Sequence, residues 1–205
     1  VKYAGLGAMS GEYRKDAAGF LAFAKHVNET DPAANAVLAA DIDLENRPWI
    51  PIGHYNYYVN PLINFPYRGI FDGQNHIIKN LYVHVTDGRE AGLFCRTQGA
   101  TLRNFGIVNA VVVSEPVNGE SERAGVVAGE IHLCTVNNVY TCGNITVTTE
   151  HEQKGGFAGE CAGTTLNNCY TTHSIFTINQ SATVTNCFYL GNETNAASAG
   201  TFMTA

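Results

Sequence analysis

The sequence predicts an all-β fold, a right-handed parallel β-helix of about five rungs with an N-terminal capping helix. Three observations carry this. An alternating apolar run centred on one asparagine recurs along the chain: IIKNLYV, TLRNFGI, TVNNVYT, TLNNCYT and TVTNCFY, with Asn80, Asn104, Asn138, Asn168 and Asn186 at the centres. Glycine-led hydrophobic segments, AGLFC, AGVVAGE and GGFAGEC, stand upstream of three copies. Composition agrees, with 21 glycines and only 15% charged residues, a balance that favours strands and turns over long helices.

Taken from the N-terminus, residues 1–35 read as a cap. Phe20, Phe23, Ala24 and Val27 follow the i, i+3, i+4, i+7 spacing of an amphipathic helix over 16–29, with Asp16 as the expected N-cap. A first strand is expected in AVLAADIDL, followed by a turn through RPWIPIG. Rungs then occupy 36–190, interrupted by insertions at 53–68 and 114–123, and the small, polar stretch 191–205 closes the domain.

Within each copy, two apolar slots flank the asparagine, at −2 (Ile78, Leu102, Val136, Leu166, Val184) and +1 (Leu81, Phe105, Val139, Cys169, Cys187). The intervening positions are mostly polar, which is the period-two signature of a strand with one buried face. Because the two slots are an odd number of residues apart, a straight strand would put them on opposite faces, so the chain must bend at the asparagine. Asparagine tolerates unusual backbone angles and bonds the main chain locally. Stacked in register, the five are expected to form one hydrogen-bonded ladder along a corner.

The +1 slot also bears on the six cysteines. A position that accepts Leu, Phe, Val and Cys reads as core, where a free thiol behaves as a small hydrophobe; three disulfides in an oxidising compartment are the other reading. No Cys/His spacing suggests a metal, and no cofactor motif is present. A net charge of −6 without a basic cluster argues against nucleic acid. No stretch is long and apolar enough to span a bilayer.

The strings WIPIG (49–53), YRGIFDGQNHIIKNL (67–81) and AGLFCRTQGATLRNFGIVNA (91–110) resemble bacterial surface or secreted proteins with GLUG-type repeats, which also occur beside the catalytic part of some bacterial immunoglobulin A proteases. The resemblance covers most of the chain. It implies a module of a larger extracellular, adhesin-like polypeptide whose signal or anchor lies upstream of residue 1. It carries over no catalytic residue.

The acids and histidines are the side chains on which catalysis would rest. Asp41, Asp43 and Asp72 are the carboxylates from which a glycosidase or lyase pair would be drawn. However, FDG is a turn signature, and DIDL runs into a loop where aspartate bonds turn amides. The seven histidines form no metal-binding or catalytic cluster. The candidate binding surface is instead the insertion HYNYYVNPLINFPY, with Tyr55, Tyr57, Tyr58, Phe65 and Tyr67, whose rings suit a sugar or a host protein. A second candidate is the +2 column of Tyr82, Tyr140, Tyr170 and Phe188, whose orientation the pattern leaves open, with core or corner stacking the favoured reading. The reading is a monomeric, non-enzymatic ligand-presenting module, with a carbohydrate-active enzyme and a structural spacer as the alternatives.

Overall fold

Why the chain coils is visible in its bends. Asn104, Asn138, Asn168 and Asn186 all hold a left-handed backbone, with φ between 51° and 58°, and each turns a strand that would otherwise run straight. A computed structural model describes residues 15–56, 63–115, 123–149, 153–173, 178–190 and 201–202. The strands pair in parallel with the turns before and after, and the result is a β-solenoid.

Three turns are complete. Their long bent strands are Ile70–Val85, Thr101–Ser114 and Thr135–Thr148. Each is followed by a strand of five residues on the opposite wall, namely Phe94–Gln98, Ala128–His132 and Ala158–Ala162. Shorter pieces continue the stack at both ends, so the structure has about three full turns rather than five equal rungs. Upstream, Ala36–Val37 and Ile42–Asp43 pair with Phe71–Asp72 and Ile78–Lys79; the expected single strand over 36–44 is therefore two fragments. Downstream, Thr165–Asn167 and Tyr170–Thr171 pair with Thr183–Thr185 and Phe188–Tyr189, and Thr201–Phe202 pairs with the last of these.

The interior is mainly apolar. Ile78, Leu102, Ile107, Val136, Ile131, Val139 and Leu166 have no exposed surface or almost none. At the N-terminal end, parallel strands would expose interior and unpaired backbone, and the helix Lys15–Glu29 covers it. Phe20 stacks on Trp49 with ring centroids 4.9 Å apart, and Phe23 meets the edge of Tyr67 at 5.9 Å. Both phenylalanines are fully buried, each stabilising the cap by about 1.5–3 kcal/mol. Asp16 lies inside the helix, one residue past its start, and is therefore not its N-cap.

One expectation about register is corrected. Asn80 does not stack on Asn104: Ile78 pairs with Ile107 and Leu81 with Ala110, while Leu102 pairs with Phe71. The segment that matches TLRNFGI is thus IFDGQNHII, in which an extra bend through Gln74 and Asn75, both at positive φ, takes the place of a single asparagine. The ladder splits accordingly. Asn186 donates to Asn168 (3.3 Å), Asn168 to Asn138 (3.2 Å), Asn138 to Asn104 (2.9 Å) and Asn104 to Asp72 (3.2 Å). On a second corner Asn109 donates to Asn80 (3.5 Å) and Asn80 to Asp43 (2.9 Å).

Candidate ligand-binding surface

The residues just after the first asparagine corner define a lateral face. From the corner, the next residue points into the core and the one after it points out. Ile77, Gly106, Tyr140, Tyr170 and Phe188 are paired in one continuous column. Tyr140 and Tyr170 are half-buried, and Phe188 is 38% exposed. The column is therefore an outward aromatic stripe. A Cβ built on Gly106 would fall 2.1 Å from the Tyr140 ring, so that ring lies flat over the glycine. Tyr82 belongs elsewhere, opposite Val111 on the next face.

Beside the stripe run the side-chain amides of Asn138, Asn168 and Asn186, all exposed. The ladder takes one N–H and one oxygen lone pair from each interior amide and leaves the second of each. Asp41 and His76 lie at the N-terminal end of the same face. The Asp41 carboxylate accepts from the Ile77 N–H at 3.1 Å and meets His76 Nδ1 at 3.1 Å. The Ile77 bond, then His76, holds its carboxyl below the usual range.

The other two carboxylates serve the fold. Asp43 accepts from the Glu45 N–H and the Asn80 amide, both at 2.9 Å. Asp72 accepts from the Gln74 N–H (3.0 Å), Asn104 (3.2 Å) and Arg103 Nε (2.9 Å). Burial by itself raises the Asp72 carboxyl, but these bonds outweigh it and hold the group below its ordinary value.

The tyrosine-rich insertion begins and ends as an antiparallel pair, Tyr55–Asn56 with Ile63–Asn64. Tyr57, Tyr58 and the Tyr55 ring lie outside the described residues. Phe65 is 45% exposed. Tyr67 is the exception to the expected surface: it is fully buried, stacks on Phe94 with centroids 5.2 Å apart, and donates its hydroxyl to the Ala34 carbonyl at 3.0 Å. Burial pushes its phenol pKa up. It belongs to the core because its backbone bridges Thr97 and so completes the opposite wall of the first turn.

A groove of about 650 Å3 runs between the helix and the first turn, lined by Leu21, Lys25, Trp49, Ile50, His54 and Arg89 among others. Ile50 is 66% exposed there. Burial, then the charge of Arg89, lowers the His54 pKa, and a neutral imidazole results near neutral pH. The rim charges are largely matched, Lys25 with Glu29 at 4.0 Å and Arg89 with Asp87 at 2.8 Å.

Sequence reasoning missed a buried polar assembly. Arg96, Glu130 and Glu160 are in register on the wall opposite the long strands. Arg96 pairs with Glu130 at 2.9 Å, while Arg123 reaches Glu90 (3.1 Å), Glu130 (3.4 Å) and Glu160. The three glutamate side chains are only 5–7% exposed. A Cβ on Gly129 would sit 2.5 Å from that of Glu90, so only glycine permits this approach. Burial, then the charge of Glu130, raises the Glu90 pKa well above its ordinary value. Retaining its proton leaves two carboxylates facing two guanidiniums. The only signal in the sequence was the placement of these charges next to the glycine-led segments.

All six cysteines are free thiols, five of them buried and Cys142 partly so, as the core reading of the +1 slot expects. No helix among the described residues is long and apolar enough to cross a membrane.

No protein-family model matches the sequence, and no curated protein does. Among solved structures the chain is similar to the crystal structure of "a putative immunoglobulin A1 protease" from Bacteroides ovatus, with a TM-score of 0.50 and 21% identity. The likeness covers 78% of this chain and 60% of that one, so the chain spans less than two thirds of its neighbour's length. At this identity the likeness shows the fold alone, a β-solenoid.

Proposed function

We propose that this chain is a non-enzymatic, ligand-presenting β-solenoid module of a bacterial surface or secreted polypeptide, and that it binds glycan along its lateral face. The observation that carries the reading is the outward column Tyr140, Tyr170 and Phe188 beside the exposed amides of Asn138, Asn168 and Asn186. Sugar rings present C–H faces that pack on aromatic rings and hydroxyls that need donors and acceptors at their edge. Successive turns repeat both elements about every 4.8 Å, so neighbouring sugar units meet the same groups. The surface location rests on the resemblance to GLUG-type repeat proteins.

A carbohydrate-active enzyme is the second reading, prompted by Asp41 on the same face. Against it weighs the engagement of Asp43 and Asp72 in turn and ladder hydrogen bonds, so that neither of these two is free to pair with Asp41 for acid–base work. A glycan-array screen, with chromatography of every sugar that binds, separates the readings. Binding of intact sugar supports the module, cleavage products point to the enzyme, and the absence of any bound sugar favours a spacer.

A further inference from the structure

Cys169 and Cys187 occupy one interior column in successive turns. Asn167 pairs with Thr185 and Tyr170 with Phe188, so the same offset of 18 residues runs through both cysteines. Their side chains are 1% and 2% exposed. Parallel neighbours stand about 4.8 Å apart, inside the roughly 4.4–6.8 Å that a disulfide needs between its Cα atoms. The Cys169 N–H donates to Cys187 Sγ at 3.4 Å, which places that sulfur against the backbone of the preceding turn. The other cysteines have no such counterpart in register: Cys142 faces Val108, and Cys161 faces Ile131 and Asn179.

We propose that Cys169 and Cys187 are a modification site, a dithiol that closes into a reversible disulfide and staples the two C-terminal turns of the lateral stripe. The chemistry within the pair is unequal. The Cys187 sulfur accepts the Cys169 N–H, a bond that favours its thiolate, whereas Cys169 Sγ lies against the Asn167 and Val136 carbonyls; Cys187 is thus the attacking thiolate. It displaces one thiolate from a low-molecular-weight disulfide and forms a mixed disulfide. Cys169 then loses its proton to solvent and attacks Cys187 Sγ, forming the internal S–S bond and expelling the second thiolate. Two protein thiols are oxidised by two electrons, and the reagent disulfide is reduced to two thiols. Because both sulfurs are buried, exchange proceeds through opening of the terminal turns, whose strands are only two or three residues long. Tyr170 and Phe188 directly follow the two cysteines, so the bridge would fix the spacing of their rings.

The test incubates the whole chain with oxidised glutathione, alkylates the remaining thiols in denaturant and maps the peptides by mass. The expected result is two fewer alkylated cysteines than in the reduced protein, a link between the peptides of Cys169 and Cys187, reversal by dithiothreitol, and an unfolding midpoint several degrees higher in the oxidised form. The Cys142→Ser variant, which lacks the most exposed thiol, is expected to give the same link. Full alkylation under conditions that oxidise the urea-unfolded chain, stable glutathione adducts without a link, or a link between any other pair would each overturn the proposal.

Discussion

The side-chain amide of Asn104 donates to Oδ1 of Asp72 across 3.2 Å, and this carboxylate closes the N-terminal end of the longer asparagine ladder. Asp43 does the same for Asn80 at 2.9 Å. Each ladder amide donates toward the N-terminus, so the terminal position needs an acceptor with no donor of its own. An ionised aspartate is that group. The FDG and DIDL signatures are therefore capping devices of the two corners.

Replacing Asp72 by Asn removes the charge that receives Asn104, Arg103 and the Gln74 N–H, and is expected to cost about 2 kcal/mol. The Asp72 pKa is depressed in the fold. Its contribution is thus present above the ordinary aspartate value of 3.8 and fades as pH falls through the folded one. Urea unfolding at neutral and strongly acidic pH should show the variant's deficit shrinking in acid.

Leu133 sits at φ 53° in a corner row that otherwise holds Gly99, Gly163 and Ser181, and it is 59% exposed. A leucine in this conformation costs about 1–2 kcal/mol, while its exposed side chain returns little burial beyond contact with Gly163. Leu133→Gly is expected to stabilise the protein by about 1 kcal/mol, seen as a higher urea midpoint with an unchanged slope.

Glu90 holds its proton well above the ordinary 4.5. Between those two values the folded state binds more protons than the unfolded state, so stability falls as pH rises through the interval. The groups facing Glu90 are Arg96, Arg123 and Glu130. Glu90→Gln keeps the neutral form at every pH; measured from about pH 5 to about pH 9, its stability should decline much less than that of the unmodified chain.

Much of the architecture was legible. Strand alternation and the bend at each asparagine follow from side-chain period and backbone tolerance, and both are present at Asn104, Asn138, Asn168 and Asn186. The register at Asn80 was not legible, because IIKN and TLRN look alike as letters while pairing is decided by backbone hydrogen bonds. IFDGQNHII reaches the same corner through two positive-φ residues instead of one. Tyr67 could not be separated from the exposed aromatics around it, since its burial depends on where the insertion rejoins the wall. The Glu90–Arg123–Glu160 assembly was invisible for a related reason: its members lie 33 and 37 residues apart and meet only when the segments ahead of the glycines fold back over the sheet. The outward direction of Tyr140 and Tyr170 likewise required the register.

Gly106→Ala tests the stripe without deleting an aromatic ring. The added methyl takes the place of the Tyr140 ring face, 2.1 Å away, and that half-exposed ring can swing outward. Stability is expected to change by less than about 1 kcal/mol, while the affinity for any lateral ligand falls.

The most direct measurement is glycan-array binding of the unmodified chain beside the Tyr170→Ser/Phe188→Ser double variant, with the unfolding midpoint of each determined in parallel. Intact glycan bound by the unmodified chain, and lost from a variant that still folds, is the predicted result. Glycan binding that persists undiminished in the folded variant would contradict the lateral-face account.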